Sequence, residues 1–221
     1  MFNKIASKIV FLILNILFIS TSVNAVENKS YKGKDFYLDV NVGMATHDTG
    51  VSSVSGTTLD QSDTGFQLNL GKRFSKNWGL EGMYYDMGSA SITGAVGDTF
   101  TLDGTSYVWN SAGTLTAGVT GFGGALVGYL PSDEWLEFYG KVGVHIWDQT
   151  GTATFLDNNS TFTSSFFDEG ADLYFGLGVA GNVTSNIKLN IGYDMINFTD
   201  ELDPSVDYYT TFLYAGIKYE F

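Results

Sequence analysis

Leu213 to Phe221 reads L-Y-A-G-I-K-Y-E-F, and the stretch sorts by parity. Leu213, Ala215, Ile217, Tyr219 and Phe221 fall on one side, and Tyr214, Gly216, Lys218 and Glu220 on the other. Strict alternation is the mark of a β-strand with one apolar and one polar face. The apolar face finishes on aromatic side chains, as strands do where a membrane barrel meets the lipid–water interface.

The same pattern recurs upstream. Phe36, Leu38, Val40, Val42 and Met44 alternate with Tyr37, Asp39, Asn41, Gly43 and Ala45. Phe66, Leu68, Leu70 and Phe74 alternate with Gln67, Asn69, Gly71 and Arg73, and Lys72 sits near a turn where its stem can snorkel. A third strand starts at Trp78; its Leu80–Tyr85 segment alternates poorly and leaves room for a bulge. A glycine-rich fourth covers 117–130. Phe138, Val142, Val144 and Ile146 oppose Glu137, Tyr139, Lys141, His145 and Trp147. Leu173–Val179 and Ile187–Met195 supply two more, and the opening stretch is the eighth.

Connections alternate in length. Residues 75–77, 131–134 and 184–186 are tight polar turns, whereas 46–64, 88–114, 148–170 and 197–207 are long. The expected fold is all-β: an eight-stranded antiparallel up-and-down transmembrane β-barrel spanning 35–221, with both termini periplasmic. A soluble eight-stranded barrel is the alternative. Its outer face would be mostly charged, whereas here the charged set is sparse and interleaved with glycine.

Residues 1–25 read as a secretory signal peptide: Lys4 and Lys8, an apolar run from Ile9 to Ile19, then Val23-Asn24-Ala25. A retained helical anchor is the competing reading, and 26–34 is a short periplasmic lead-in. Losing the two lysines takes the formal charge from −13 to −15, which argues against nucleic acid as a partner. The chain has no cysteine, so disulfides and thiolate metal sites are excluded, and no cofactor is implied.

Several short motifs resemble the transmembrane domain of the outer membrane protein A (OmpA) family. They are His47-Asp48-Thr49-Gly50, Gly79-Leu80-Glu81 with Tyr84–Gly88, Gly128-Tyr129, Tyr139–Gly143 with Trp147, and Gly216–Phe221. The resemblance implies an outer-membrane barrel that acts as a structural protein, an adhesin or a narrow channel. Family members often add a peptidoglycan-binding domain, which the sequence does not show. Glu81 and Lys141 match two positions of the charged cluster proposed to gate the family lumen; Leu126, Ala180 and Asn190 stand at three others.

Strand counting puts Asp39, Glu81, Lys141 and Lys218 at similar heights, pointing into a lumen that side chains fill. They are expected to form an ion-pair layer, with Asp39 paired to Lys218 across the seam. Trp78, Tyr129, Tyr193, Tyr219 and Phe221 are the expected interfacial aromatic girdle. The long loops carry acids and no Lys or Arg. A divalent-cation site at Asp200, Glu201, Asp203 and Asp207 competes there with plain solvated loops. Phe155, Phe162, Phe166 and Phe167 are either contact anchors or packing for the barrel mouth.

Catalysis by a lipid-modifying enzyme would rest on His47 or His145, neither of which has a nucleophile motif. The sequence is therefore expected to encode a non-enzymatic protein with a structural or adhesin-like role. A narrow ion or solute channel is the alternative, and a lipid-acting enzyme the third reading. Expected partners are outer-membrane lipid, the barrel-assembly machinery through the C-terminal strand, and host or surface ligands at the loops. The barrel is expected to be a monomer, without bound metal.

Overall fold

The computed structural model describes residues 35–131, 135–157, 160–199 and 207–221. The signal peptide and lead-in read at 1–34 lie outside the described residues. Twelve strands follow: β1 (Phe36–His47), β2 (Val51–Ser55), β3 (Thr58–Asp60), β4 (Ser62–Arg73), β5 (Trp78–Gly94), β6 (Thr99–Leu102), β7 (Thr105–Val108), β8 (Ala112–Pro131), β9 (Leu136–Asp157), β10 (Ser160–Asn182), β11 (Ile187–Thr199) and β12 (Asp207–Glu220). Eight of them close a barrel in the order β1, β4, β5, β8, β9, β10, β11, β12, with β12 pairing back onto β1. Every pairing is antiparallel.

The barrel is inside out relative to a water-soluble protein. Leu177 is 64% exposed and Val42 56%, whereas Asp39 is fully buried and Lys141 only 4% exposed. Such a surface is stable only against hydrocarbon, where a closed sheet satisfies every backbone donor and acceptor. From Phe36 to Met44, a rise of about 3.3 Å per residue and a tilt near 40° cover about 20 Å, close to the height of a lipid-facing band. Lys72 lies on that face at the turn end, its ammonium 5.0 Å from the Phe36 ring and 5.4 Å from Phe74.

The long connections are more ordered than loops. β9 and β10 stay paired from the barrel wall up to Asp157 and Ser160, so most of 148–170 is a β-hairpin standing above the barrel. Its Thr/Ser-rich segment has water on both sides, and no apolar face remains to announce a strand. β2, β6 and β7 form a separate three-stranded sheet within the first two connections. The β6–β7 turn, Asp103-Gly104, has φ of 47° and 79°, the left-handed pair that a two-residue hairpin requires. It is tied to its neighbours: Asp103 N–H donates to Gly50 O at 3.1 Å, and Tyr208 O–H donates to Asp103 Oδ2 at 2.7 Å.

β5 alternates regularly through the segment whose facing was least legible, with Glu81, Met83 and Tyr85 inward. Its irregularity lies higher. Pairing with β4 stops at Phe66–Asp86 and resumes through β3 at Asp60–Ser91. In the gap Gly88 has φ 66°, and Asp63 Oδ2 accepts the Ser89 N–H at 2.9 Å.

Candidate functional site in the lumen and at the mouth

Inward glycines make room for inward tyrosines. Tyr37 stands directly across from Gly71, Tyr85 from Gly121, Tyr139 from Gly178 and Tyr214 from Gly192. A Cβ on Gly71 would overlap the Tyr37 ring, one on Gly178 the Tyr139 ring and one on Gly192 the Tyr214 ring. The glycine-rich polar faces of the sequence are thus cradles in which rings lie flat and fill the lumen.

At the turn end of the lumen four charges form a closed network. Arg73 Nη1 meets Glu137 Oε2 at 2.8 Å and Glu220 Oε1 at 3.9 Å, while Lys188 Nζ meets Glu220 at 2.8 Å and Glu137 at 3.4 Å. Two cations against two anions leave the layer neutral. These residues share the parity of the lumen set, but they come from four different strands, and periodicity along one strand cannot pair them.

Above it Lys141 Nζ meets Glu81 Oε1 at 2.6 Å, both side chains almost wholly buried. Tyr37 O–H donates to Glu81 Oε2 at 2.8 Å, and Tyr129 O–H donates to the Tyr37 oxygen at 3.0 Å. Asp39 and Lys218 are direct cross-strand partners, as their register requires. The ion pair expected between them is not formed. Asp39 accepts from Asn190 Nδ2 at 3.1 Å and from Asn41 Nδ2 at 3.4 Å. The Lys218 ammonium lies over the rings of Tyr37 and Tyr139, at 4.5 and 5.0 Å. Aromatic faces and carboxamides substitute for the opposite charge.

The girdle needs a correction as well. Trp78, Tyr193, Tyr219 and Phe221 are outward and exposed, but Tyr129 is buried in the lumen beneath the Arg73 guanidinium, 3.8 Å from its ring centroid. Parity explains it: Tyr129 faces Tyr139 across the ladder, and its neighbour Leu130 takes the lipid side at 71% exposure.

The upper lumen is mainly apolar around one buried carboxylate, Asp194, which accepts from Gln67 Nε2 at 2.9 Å and from Tyr214 O–H at 3.3 Å. Met83, Met87, Tyr174, Ile196 and Phe212 pack together, fully or nearly fully buried. Phe212 and Ile196 continue the lumen parity one step past the stretches whose alternation is obvious. Over them sits an aromatic cap. Phe198 stands edge-on to Trp147 at 5.4 Å and to His145 at 5.7 Å. Trp147 Nε1–H donates to Asp172 at 2.8 Å.

Both histidines are held at each ring nitrogen. His145 Nε2 faces the Asn197 carbonyl at 2.9 Å and Nδ1 the Tyr85 hydroxyl at 2.7 Å, which assigns the proton to Nε2. His47 Nε2 faces the Met87 carbonyl at 3.1 Å and Nδ1 the Thr210 hydroxyl at 2.8 Å. None of these contacts is to a serine or a carboxylate. Among the described residues no group of three or more His, Asp or Glu is placed to hold a metal ion. The acids Asp200, Glu201 and Asp203 lie outside the described residues, as does the side chain of Asp207.

At the mouth the side chains step back and leave a cavity of about 330 Å³. Trp147 and Phe198 floor it, Phe166, Tyr208 and Tyr209 line one part of its wall, and Ala90 and Ala117 another. Asp48 and Asp168 contribute its carboxylates. Of the expected loop anchors, Phe166 lines this cavity, Phe162 and Phe167 stand exposed, and Phe155 packs 6.3 Å from Trp109.

A family model described as the outer membrane protein beta-barrel domain matches residues 11–221. The chain belongs to that family. Its place is therefore the bacterial outer membrane, as the OmpA-like motifs imply. No curated protein matches the sequence. Among solved structures it is similar to OprG of Pseudomonas aeruginosa, at 14% identity and TM-score 0.50, covering 86% of this chain and 98% of that one. It is also similar to Ail of Yersinia pestis in complex with the heparin analogue sucrose octasulfate, at 19% identity and TM-score 0.45, covering 84% and 99%. The Neisserial surface protein A, NspA, matches at 16% identity and TM-score 0.46, over 84% and 97%. At these identities the likeness is one of fold.

Proposed function

We propose that this is a non-enzymatic, monomeric surface protein whose barrel is a sealed pedestal and whose extracellular hairpins carry out its interactions. The observation that carries this reading is the stack of filled layers: a charged ring, an ion pair among tyrosines, an apolar section and an aromatic cap. A solute path would require all of them to move together. Both termini then lie on the periplasmic side, where the short turns are, and the β9–β10 hairpin projects outward with Phe162 and Phe167 exposed at 58% and 60%.

Ail was crystallised with a polyanion, but that ligand does not transfer easily. Among the described residues the cations are Lys72, Arg73, Lys76, Lys141, Lys188 and Lys218, all in the periplasmic part of the barrel or its lumen. The extracellular end is acidic and aromatic, which favours apolar or cationic partners.

The test is adherence of cells that display the protein, with residues 149–168 replaced by a short turn. Loss of adherence, with heat-shifted gel migration unchanged, is the expected result. Adherence that survives this exchange and exchange of each other connection would overturn the reading. Discrete conductance that depends on Glu81 and Lys141 would replace it with the channel reading.

A further inference from the structure

We propose that the cavity at the barrel mouth is a binding site for a small organic cation bearing a quaternary or otherwise bulky ammonium group. The inference does not depend on the adhesive role; it concerns a blind pocket that the sealed lumen leaves above itself.

Size is the first argument. A cavity of about 330 Å³ lies in the range of small-molecule sites, which run from ~300 to ~1,000 Å³. Its floor is closed, because Trp147 is fixed by its hydrogen bond to Asp172 and braced by Phe198. A ligand that enters therefore stops there.

The lining names the chemistry. Trp147, Phe166, Phe198 and Tyr208 come from four strands to line it. Aromatic cages of this kind recognise ammonium groups through the negative faces of their rings. Facing Ala90 and Ala117 are paired across the β5–β8 ladder and keep that wall open for a bulky head group. Among the described residues of the lining, the only formal charges are the carboxylates of Asp48 and Asp168. Each accepts one backbone N–H, from Gly50 at 3.1 Å and from Glu169 at 2.9 Å, and its second oxygen has no partner among the described residues. His47, the other titratable base in the wall, has one ring nitrogen against the Thr210 hydroxyl and the other against the Met87 carbonyl. No described Lys or Arg lines the cavity to repel a cation. An anion would find neither a positive charge nor a helix end.

The experiment is a calorimetric titration of the purified protein, folded in a maltoside detergent without choline-like head groups. The probes are choline and its neutral isostere 3,3-dimethylbutan-1-ol. Saturable choline binding is expected, with the isostere weaker by about tenfold, the size of a cation–π preference in a desolvated site. Asp168→Asn should weaken choline about fivefold and leave the isostere unchanged. Ala117→Phe fills the cavity and should abolish both. Phe166→Leu keeps the bulk, removes one π face, and should reduce the charge preference in a barrel whose heat-shifted migration is intact. Equal binding of choline and the isostere, absence of saturable choline binding, or binding retained in a folded Ala117→Phe protein would each overturn the proposal.

Discussion

The lower lumen and the mouth solve opposite problems with similar residues. Below, aromatic rings are pressed into glycine cradles, and the described charges are matched by a partner, a carboxamide or a ring. Above, Trp147, Phe198, Phe166 and Tyr208 are arranged around a void, and no described Lys or Arg lines it beside the carboxylates. The difference lies in what stands opposite each ring. In the lumen a tyrosine meets a glycine directly across the ladder. At the mouth the connections hold the walls apart, through ties such as Asp103 to Gly50 and Tyr208 to Asp103. Filling stabilises the barrel, and holding the wall open gives it a surface with chemistry to offer.

The largest effect should come from breaking the filled region at its buried ion pair. Lys141→Met leaves Glu81 with the Tyr37 hydroxyl in place of its ion pair and is expected to cost about 3–5 kcal/mol. Adding Glu81→Leu should restore much of that loss. Urea unfolding followed by heat-shifted gel migration measures both; a single variant as stable as the parent would contradict the pairing.

Next comes the cradle. Gly178→Val drives a branched side chain into the Tyr139 ring, and overpacking of this kind costs about 1–3 kcal/mol. The same assay should rank it below Lys141→Met, and Leu177→Val, on the lipid side, should be nearly silent.

Smaller effects are expected at the mouth. Tyr208→Phe removes one hydrogen bond to Asp103 at an exposed site, worth at most about 1 kcal/mol. Its signature should be faster proteolysis within 95–111, with global unfolding unchanged. Unchanged proteolysis would mean that the tie does not hold the wall.

The smallest expected effect is one of pH. The Ser89 and Thr64 amides hold the Asp63 carboxyl below the usual carboxylate range. A depressed folded value means that the contribution is complete above the unfolded value near ~3.9 and is lost as pH falls through the lower folded one. Proteolysis of the 86–91 bulge should therefore accelerate below about pH 4 in the parent. In Asp63→Asn it should already be fast and independent of pH; equal profiles would remove Asp63 from the account of the bulge.

The filled region was largely legible in the sequence, and the open one was not. Alternation on single strands places Asp39, Glu81, Lys141 and Lys218 inside, because the apolar face of each strand must meet lipid and a charge turned outward is costly there. Alternation does not say which inward residue meets which. Lys218 therefore finds the rings of Tyr37 and Tyr139 rather than a bond to Asp39, and the Arg73–Glu137–Lys188–Glu220 network joins four strands that periodicity cannot relate. Tyr129 looked interfacial because glycines on both faces of β8 blur its parity. Above the membrane both faces of a strand meet water, so Ser160–Phe167 carries no periodic signal and reads as loop. The Asp103-Gly104 dipeptide was a hairpin signal in plain view, since few other pairs accept two left-handed residues.

Single-channel recording of the folded protein in a planar bilayer bears most directly on the sealed lumen. An electrically silent barrel is the expected result, for the parent and for Lys141→Met paired with Glu81→Leu alike, since the tyrosines and the apolar section remain. Discrete openings in the parent, altered by neutralising Lys141, would contradict it.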